Sequence, residues 1–548
     1  MAWIDASTSA GTFGSLLRSR TTEPKSWVWL AYDQLNHDLM RELLQSNPSL
    51  GVVLIESYAK GTSRPYHKQK LALLLSNMRH FALELQEKGL AVRYICTRQS
   101  YAETLKHLVN KWGPIHCFEP AERALRIELT PLVEKGLVEM HPHLGWLTPR
   151  SWFIESVGIK PPFRMDRFYR KVRKQTGWLM TDGEPIGGKF SFDEANRKPW
   201  KGDPPAPEPP RFEVDDIDKE VAKIIMLDFH EHPGNVDFSQ LPTSEHDITL
   251  AMEHAQACME HFGTYEDAMS SKSRGLFHTR LASLVNLHRV MPVQAIELAM
   301  ESASDLNNVE GFVRQMIWRE YVRHIHEVTD GFRTIDVAKG PARRDARWFT
   351  SAPEDTELHP NHLNQNEALP QAYWGLESGL QCLDASVKSV MEEGWTHHIP
   401  RLMVLSNIAH LLDINPRELT DWFHVAFIDA YDWVVEPNVL GMGTFALGSA
   451  MMTKPYVAGS AYINRMSNHC SDCSFHPTKN CPIKRLYWAY LARHKPAFEG
   501  NHRLSMALRN VAKRSSEDQE KDVETFDLVR SVLRVGGVLH PDEFQKRL

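Results

Sequence analysis

Two adjacent histidines, His397 and His398, stand at the start of the sequence THHIPRLMVLSN. Pro400 follows them, and a proline fits the first turn of a helix because its missing N–H would have no partner there. The two imidazoles are therefore predicted at a helix mouth. An imidazole can donate or accept a proton near neutral pH. The motif predicts a site for acid–base chemistry or ligand binding at this point of the chain.

A second helix is expected to lie antiparallel to the first. Apolar residues recur at helical spacing on both sides of the sequence DINP, residues 413–416, which breaks the run. With the turn near residue 415, Arg401 is level with Asp429 on axes about 8–10 Å apart. His398 is level with Asp432 by the same count. The spacing predicts an arginine–carboxylate pair beside a histidine–carboxylate pair, with two surface ion pairs as the alternative.

Three of the seven cysteines follow the spacing C-x2-C-x7-C, at Cys470, Cys473 and Cys481. Pro482 comes next, as a proline often follows a ligand in iron–sulfur proteins. A metal site needs a fourth ligand, for which Cys382 is the nearest upstream cysteine and His469 or His476 the candidates in a zinc site. Spacing alone favours zinc and a four-iron cluster equally. Disulfides are the weakest interpretation because nothing marks the chain as secreted.

Composition is that of an ordinary folded protein with two or three domains. The 548 residues are 42% hydrophobic and 24% charged, with a net charge of -6. This balance excludes a wholly electrostatic nucleic-acid binder but leaves room for a local basic face. No run of about 18 apolar residues occurs, so no transmembrane helix is expected. We expect a cytoplasmic bacterial protein that acts as a monomer.

The first 26 residues are rich in Ser, Thr and Arg. A disordered tail is the favoured interpretation. An organellar transit peptide is the alternative, and Asp5 argues against it because such peptides are poor in acids.

Short apolar runs alternate with helical patterns between residues 27 and 160. Buried strands are predicted at Trp27–Ala31, Gly51–Glu56, Ala91–Ile95 and Ile115–Phe118. This alternation predicts a parallel sheet covered on both faces. No GxGxxG fingerprint follows the first strand, so a dinucleotide is not expected in this domain.

Ligands of such sheets bind at the carboxyl ends of the strands. Tyr32 and Asp33 leave the first strand, and Glu56 ends the second. These residues predict a small pocket, with helix-capping or solvated acids as the alternative.

Residues 161–245 are predicted to connect two domains through a long loop. Basic and aromatic residues alternate in part of this segment: Lys189, Phe190, Phe192, Arg197 and Lys198. The mixture suits backbone phosphates and exposed bases. An ordered loop packed between domains is an equal alternative.

From residue 246 to about 512 the pattern is helical almost throughout. Polar residues interrupt the apolar faces of these helices, at His278, Arg280, Ser283, Asn286, Glu310, Arg314, Trp318 and Arg319. Because buried polar atoms need partners, such a domain is expected to bind something large and polar. No role is assigned to residues 513–548.

Several motifs together resemble the iron–sulfur bacterial cryptochromes and photolyases, the prokaryotic (6-4) photolyases. They are FGTYEDAM, LFHTRLASLVN, VEGFVRQMIWREY, THHIPRLMVLSN, FIDAYDWV and TKPYVAGSAYINRMS, with the cysteine set. The resemblance extends from about Trp27 to beyond Arg503. It implies the photolyase/cryptochrome architecture: a Rossmann-like α/β antenna-binding domain at 27–160, and an all-α FAD-binding and iron–sulfur domain at 246–512. Segment 161–245 would be the linker, and 1–26 and 513–548 the tails.

The resemblance implies three cofactors: FAD, a [4Fe-4S] cluster and a 6,7-dimethyl-8-ribityllumazine antenna. The cluster would be held by Cys382, Cys470, Cys473 and Cys481. Flavin contacts carry over to His278, Arg280, Ser283, Glu310, Arg319, Arg401, Asn407 and Asp429. Glu56 matches the family's antenna-binding glutamate, with Tyr32 and Asp33 nearby.

The implied activity is light-driven repair of (6-4) pyrimidine–pyrimidone photoproducts in single- or double-stranded UV-damaged DNA, by electron transfer from reduced FAD to a flipped lesion. His398 matches the family's lesion-side histidine and would donate a proton, with His397 in support. A helix N-terminus disfavours imidazolium, whereas Asp432 or a flavin anion would favour it, and a satisfied core histidine is the alternative. Tyr456 matches a DNA-facing position, and Lys454 and Lys189 would grip phosphates.

Trp422 and Trp374 match family positions in the aromatic electron-transfer route, with core packing as the alternative. Phe423 stands where a relative has tyrosine, so a tyrosyl step is not expected there. The family motif WVELPN here reads WVVEPN, with Val435 at the glutamate position near flavin N5. Either Glu436 reaches the flavin through a backbone shift, or N5 lacks an acidic neighbour.

Two other functions compete with (6-4) repair. One is a cryptochrome-type blue-light photoreceptor that binds the same cofactors without repairing DNA, for which the Val435 change leaves room. The other is repair of cyclobutane dimers, which is less favoured because that chemistry needs no proton-donating histidine.

Overall fold

Six strands in the N-terminal part of the chain form one sheet. The computed structural model describes residues 3–6, 11–17, 24–302, 304–342 and 357–545. The strands are β1 Trp3–Asp5, β2 Ser26–Leu30, β3 Leu50–Ser57, β4 Ala91–Thr97, β5 Ile115–Phe118 and β6 Val138–His141. Their order is β1-β4-β3-β2-β5-β6, and all neighbours are parallel except β1 with β4.

The centre of this sheet is apolar on both faces. Val52, Val53 and Leu54 in β3 are completely buried, as expected for a parallel strand between two helical layers. The helices of this part are Arg41–Ser46, Tyr58–Thr62, Lys68–Glu87, Tyr101–Trp112 and Arg123–Glu134. The predicted α/β domain and its four strands are confirmed, whereas β1 and β6 were not predicted.

The expectation of a disordered N-terminal tail is wrong for residues 3–6 and 11–17. β1 pairs antiparallel with β4, and a short helix follows at Thr12–Leu16. Phe13 in that helix is buried, meets Tyr94 edge to face at 4.8 Å and lies under the guanidinium of Arg79. This segment therefore caps a sheet edge that would otherwise expose its hydrogen-bonding groups.

The predicted connection at 161–245 holds more regular structure than a loop. Helix Met165–Thr176 packs against Leu306–Val328, and helix Asp216–Asp228 packs against Lys68–Glu87. Short strands Met180–Thr181 (β7) and Glu184–Pro185 (β8) form a small hairpin between them. Each end of the segment thus belongs to the packing of one domain.

The rest of the described chain is almost entirely helical, as predicted. Its α-helices are Arg150–Ser156, Glu245–Met259, Ala282–Asn286, Pro292–Glu301, Leu306–Val328, Gln381–Glu393, His398–Pro400, Asn407–Leu411, Pro416–Ala426, Asp432–Glu436, Ser460–Met466, Pro482–Arg493, Ser505–Ala512, Ser516–Arg534 and Pro541–Gln545. Two π-helices span Arg401–Ser406 and Pro437–Gly443, and a small ladder joins Lys339–Pro341 (β9) to Leu358–Pro360 (β10). Among these helices none is long and apolar enough to cross a bilayer.

The predicted helical hairpin is present around the turn at residues 412–415. Pro416 starts the second helix, and the Asn415 side chain accepts hydrogen bonds from the N–H groups of Arg417 and Glu418. That helix ends at Ala426 because Phe427 takes an extended conformation. A new helix begins only at Asp432.

Helix Ser516–Arg534, for which no role is predicted, lies against Pro482–Arg493. It buries Phe526, Val529 and Leu533 in the same core as the hairpin. This C-terminal segment therefore completes the helical domain.

Candidate flavin, cluster and antenna sites

Three imidazoles meet at the start of the first hairpin helix. His397 occupies the N-cap position and His398 the first helical position, as Pro400 predicted. The His278 ring stacks on His397 with centroids 4.0 Å apart, and it meets His398 edge to face at 5.3 Å. Residues more than a hundred positions apart are thus joined in one cluster, here called the imidazole cluster.

All three imidazoles are held in the neutral form. Burial lowers the pKa of His278 and His397 well below the ordinary value, and each is lowered further by neighbouring imidazole and guanidinium groups. Burial, followed by Arg314 and Arg401, lowers the pKa of His398 to about 3, although its side chain keeps 40% exposure. Each imidazole is therefore uncharged at neutral pH and can donate one hydrogen bond and accept another.

The imidazole cluster has unused hydrogen-bonding capacity. Nε2 of His278, Nδ1 of His397 and Nε of Arg280 are buried and have no partner within the described residues. Buried polar atoms almost always have partners, so these three atoms suit a site that holds a polar ligand. By this measure, the residues present fit a flavin, because its polar groups can serve as the missing partners.

Arg401 and Asp429 form the predicted pair. Nη1 and Nη2 of Arg401 donate to Oδ1 and Oδ2 of Asp429 at 3.0 and 2.9 Å. The carbonyl of Asp429 accepts from Asn286 Nδ2 at 2.8 Å, and Asn286 Oδ1 accepts from Arg319 Nε at 2.9 Å. Four polar residues from three separate helical segments and one loop are therefore connected beside the imidazole cluster.

Arg280 joins the site from another direction. Its guanidinium lies 4.1 Å above the Trp395 ring and donates to Glu393 at 2.8 Å. Arg280 has a φ of 57°, in the left-handed region that non-glycine residues rarely adopt. The side chain is thus held by specific contacts at a strained position, which is typical of a binding site.

Three predicted flavin contacts have different surroundings. Glu310 is completely buried and accepts from the Tyr169 hydroxyl at 2.6 Å and from the Phe192 N–H at 3.0 Å. The Asn407 amide exchanges two hydrogen bonds of 2.9 Å with the backbone of Ala458. Ser283 is buried on the short helix that carries Asn286. Glu310 and Asn407 therefore fix neighbouring chain segments rather than the imidazole cluster.

The predicted pairing of His398 with Asp432 is wrong. The regular hairpin ends at Ala426, so counting from the turn no longer applies at residue 432. Oδ2 of Asp432 accepts from the Arg123 N–H at 2.7 Å, whereas His398 Nε2 lies 3.9 Å from Glu266. Asp432 therefore cannot favour the imidazolium form of His398.

Glu436 is committed to other partners. Its carboxylate accepts from Arg417 Nη1 at 2.6 Å and lies 3.0 Å from His326 Nε2. Those contacts hold the pKa of Glu436 well below the ordinary value in spite of its burial. Val435 is buried in the apolar core. Of the two alternatives for the WVVEPN motif, the geometry favours the one in which no acid from this motif faces the flavin site.

Trp422 is buried at the centre of an aromatic group. Its indole N–H donates to the carbonyl of Tyr373 at 3.0 Å, and its ring meets those of Phe423 and Phe427 at 5.0 and 5.7 Å. Trp374 directly follows Tyr373 in the same turn. The guanidinium of Arg401 lies 4.2 Å over the Phe427 ring, so this aromatic group borders the arginine–carboxylate pair.

The residues predicted to contact DNA lie on the surface. Tyr456 is 39% exposed, and its pKa is raised by burial and by Asp193 and Asp267. Lys189 lies 4.5 Å over the Phe192 ring. Lys454 is exposed in the turn before Tyr456. Their exposure leaves all three available to a macromolecular partner.

The four predicted cluster ligands line one small cavity. Cys382, Cys470, Cys473 and Cys481 surround it with Leu380, Ser460, Ile463, His469, Phe475 and Ile483. None of the seven cysteines forms a disulfide. Burial raises the pKa of Cys382 well above the ordinary value, and the other three thiols raise it further. Four soft donors around one apolar space fit an iron–sulfur cluster, whereas His476 is exposed and outside this set.

A cavity of about 350 Å³ lies at the carboxyl ends of β3 and β4. Tyr32 and Glu56 line it, as predicted. Asp33 is buried next to it and is not in its wall, and burial raises its pKa to about 7. The Glu56 carboxylate accepts from Arg79 and from the Tyr94 hydroxyl at 2.8 Å.

Several residues of this cavity were not predicted. Glu122 accepts from Lys60 Nζ at 2.6 Å and from the Tyr32 hydroxyl. Burial lowers the pKa of Lys70 to about 7. Aromatic side chains dominate the remaining wall: Tyr58, Tyr66, Tyr101, Phe229 and Tyr431. No local motif marks these positions, since the fold brings them together from four separate segments.

Three residues near the imidazole cluster were not predicted: Glu266, Glu393 and Trp395. Glu393 and Trp395 stand just before the THH motif. Glu266 accepts from Asn196 Nδ2 at 2.7 Å and from Arg314 at 3.1 Å. The acid in FGTYEDAM was one available signal for it.

Comparisons with known proteins identify the family and the fold of the chain. The family "deoxyribodipyrimidine photo-lyase-related protein" matches residues 28–240, and the "FAD binding domain of DNA photolyase" matches residues 312–474. A (6-4) photolyase from Agrobacterium fabrum is 32% identical over 492 residues, which is 86% of this chain and 92% of that protein.

Solved structures show the same fold at low identity. A bacterial class III photolyase from Agrobacterium tumefaciens superposes with a TM-score of 0.51 at 14% identity, covering 94% of this chain and all of that one. A cryptochrome from Synechocystis gives a TM-score of 0.53 at 12% identity, covering 93% and 100%. The match to the FAD-binding domain supports FAD as a cofactor. The chain is a member of the bacterial photolyase/cryptochrome family.

Proposed function

We propose that this protein repairs (6-4) photoproducts in UV-damaged DNA with blue light. The observation that carries the proposal is the imidazole cluster, whose unpartnered nitrogens lie beside the Arg401–Asp429 pair. The name of the (6-4) photolyase relative supports the same activity. Cyclobutane-dimer repair would not require a lesion-side proton donor.

FAD would be held by the residues that converge on this site. Arg280, Arg319, Arg401, His278 and Asp429 offer charge and hydrogen bonds from several directions. These residues would hold FAD, whose reduced form would supply the electron for light-driven repair. The protein's part is to position the lesion, exclude water and deliver a proton.

His398 is the proposed proton donor, and it has to become protonated when the ligand binds. Without ligand, burial and two arginines hold the pKa of His398 to about 3. Negative charge from the phosphates of bound DNA or from FAD would raise the pKa of the nearby His398 imidazole. His398 would then be a competent acid in the complex. His397, stacked on His278, fixes the position of the neighbouring ring.

DNA would approach the surface that carries Tyr456. Flipping a damaged base costs a few kcal/mol, and an aromatic ring can fill or brace the gap. Tyr456 is exposed enough to do so. Lys454 and Lys189 would contact phosphates on either side.

Cys382, Cys470, Cys473 and Cys481 would hold a [4Fe-4S] cluster, and Trp422 with Trp374 would carry electrons into the flavin site. The cavity at β3 and β4 would hold the antenna, for which we propose a lumazine. Its aromatic wall and the charged groups Glu56, Arg79, Lys60 and Glu122 suit a flat polar ring.

The test is illumination of reduced protein with two oligonucleotides, one with a (6-4) photoproduct and one with a cyclobutane dimer. We expect blue light to restore normal thymines in the first only, as measured by chromatography of the products. Dark samples with the same protein are the control. Repair of the cyclobutane dimer alone would refute the proposal.

A photoreceptor without repair activity is the second candidate. The observation in its favour is the burial of Val435 where the family has an acid, together with the engagement of Glu436 by Arg417 and His326. A protein that binds flavin and changes its absorption in light, but repairs neither oligonucleotide, would have this function.

A further inference from the structure

Two histidines and a glutamate lie together on strands β5 and β6, far in sequence from the imidazole cluster. His116 is directly opposite Glu139 in the parallel register, and His141 is two residues beyond Glu139. Because alternate residues of a strand point to the same face, all three side chains leave one face of the sheet. β6 is the last strand of the sheet.

The ligand atoms of the three side chains lie close together. His116 Nδ1 lies 3.0 Å from His141 Nε2 and 3.3 Å from a carboxylate oxygen of Glu139. The other carboxylate oxygen lies 3.7 Å from His141 Nε2. In tetrahedral zinc sites, nitrogen and oxygen ligands at about 2.0–2.2 Å from the metal are separated by about 3.3–3.5 Å. The three groups already have the spacing of one face of such a site.

The chemistry of the three groups also suits a cation. Neutral imidazole nitrogens and a carboxylate are ligands that first-row divalent metals prefer, whereas magnesium and calcium prefer oxygen alone. Side-chain exposures of 21% for His116, 60% for Glu139 and 23% for His141 leave the site open to solvent.

Hydrogen bonds alone explain these contacts less completely. One N–H between His116 and His141 accounts for the 3.0 Å contact, but a carboxylate oxygen of Glu139 then faces the other nitrogen with no proton between them. A second group of this kind, His80 with Asp215 and Asp218, is accounted for by helix capping. There Asp215 is the N-cap of helix Asp216–Asp228.

We propose that His116, Glu139 and His141 bind one divalent cation of the zinc class, with water completing the coordination. The cation joins the edge strand β6 to β5 and leaves at least one position free for an exogenous ligand. This site is separate from the flavin, cluster and antenna sites and does not depend on the proposed repair activity.

The experiment measures zinc bound by the full-length, cofactor-loaded protein after equilibrium dialysis, with metal analysis per chain. The variant H116A/H141A should bind one zinc fewer than wild type. The control variant His246→Ala removes an exposed histidine on helix Glu245–Met259 and should bind as much zinc as wild type does. A thousandfold excess of magnesium should leave the bound zinc in place.

Glu139→Gln is a second test that should leave the protein folded, because this side chain is largely exposed. Loss of even an indirect ligand partner costs about 10–100-fold in metal affinity, so E139Q should weaken zinc binding at least about tenfold. Saturating zinc should raise the Tm of wild type and His246→Ala and leave that of H116A/H141A unchanged. Equal zinc content in wild type and H116A/H141A, or displacement by magnesium, would overturn the proposal.

Discussion

Asp429→Asn removes the negative charge of the Arg401–Asp429 pair and keeps the shape of the side chain. The two hydrogen bonds of 3.0 and 2.9 Å lie between side chains that are 23% and 8% exposed. Breaking a fully buried pair costs about 3–5 kcal/mol. Arg401 keeps some contact with water, so we expect Asp429→Asn to lower the free energy of unfolding by about 2–3 kcal/mol. Retained FAD should fall as well.

A double-mutant cycle with Arg401→Gln isolates the pair itself. Urea unfolding followed by circular dichroism gives the four free energies, and the coupling should be about 2 kcal/mol. Asp527→Asn is the matched control, because Asp527 pairs with Arg530 on the surface at 55% and 38% exposure. It should change stability by less than about 0.5 kcal/mol. A coupling between Arg401 and Asp429 of less than about 0.5 kcal/mol would refute the reasoning.

Three further perturbations test other parts of the molecule. Tyr456→Ala should weaken binding of damaged DNA about tenfold with FAD content unchanged, measured by fluorescence anisotropy, because base stacking contributes about 1–3 kcal/mol; undiminished affinity would contradict this. Cys382→Ser should reduce iron from about four atoms per chain to near zero in a colorimetric assay, and full retention of iron would show that the ligand set is wrong. Buried His288 and His410 have pKa values of about 3 against 6.5 unfolded, so only the unfolded chain takes up these protons as pH falls below about 6.5. At pH 5 each should cost about 2 kcal/mol of stability in urea unfolding, and equal stability at pH 5 and 7.5 would exclude this role.

Local patterns were sufficient to predict the central sheet and the hairpin. The four apolar runs gave strands within one or two residues because buried parallel strands are apolar on both faces. Pro400 and the DINP turn placed the first hairpin helix correctly. Arg401 and Asp429 met as predicted, although Asp429 lies in the loop after the second helix.

The errors arose where the chain leaves regular geometry. Asp432 does not pair with His398 because the helix ends at Ala426, and rules based on residue spacing hold only within one regular element. The π-helix Arg401–Ser406 has no sequence signature, although such turns are frequent at functional sites. The structure of the N-terminal segment is not predictable from local patterns, because β1 has only three residues and its strand partner is ninety positions away.

Light-driven repair by His398→Ala, compared with wild type at equal FAD content and equal DNA affinity, tests the central claim most directly. The control is His230→Ala, which removes a 65% exposed histidine elsewhere. Loss of a positioned proton donor typically costs about 10²–10⁴-fold in rate. We predict that His398→Ala repairs the (6-4) oligonucleotide at least about a hundredfold more slowly while His230→Ala repairs it normally. Repair by His398→Ala at the wild-type rate would contradict the account.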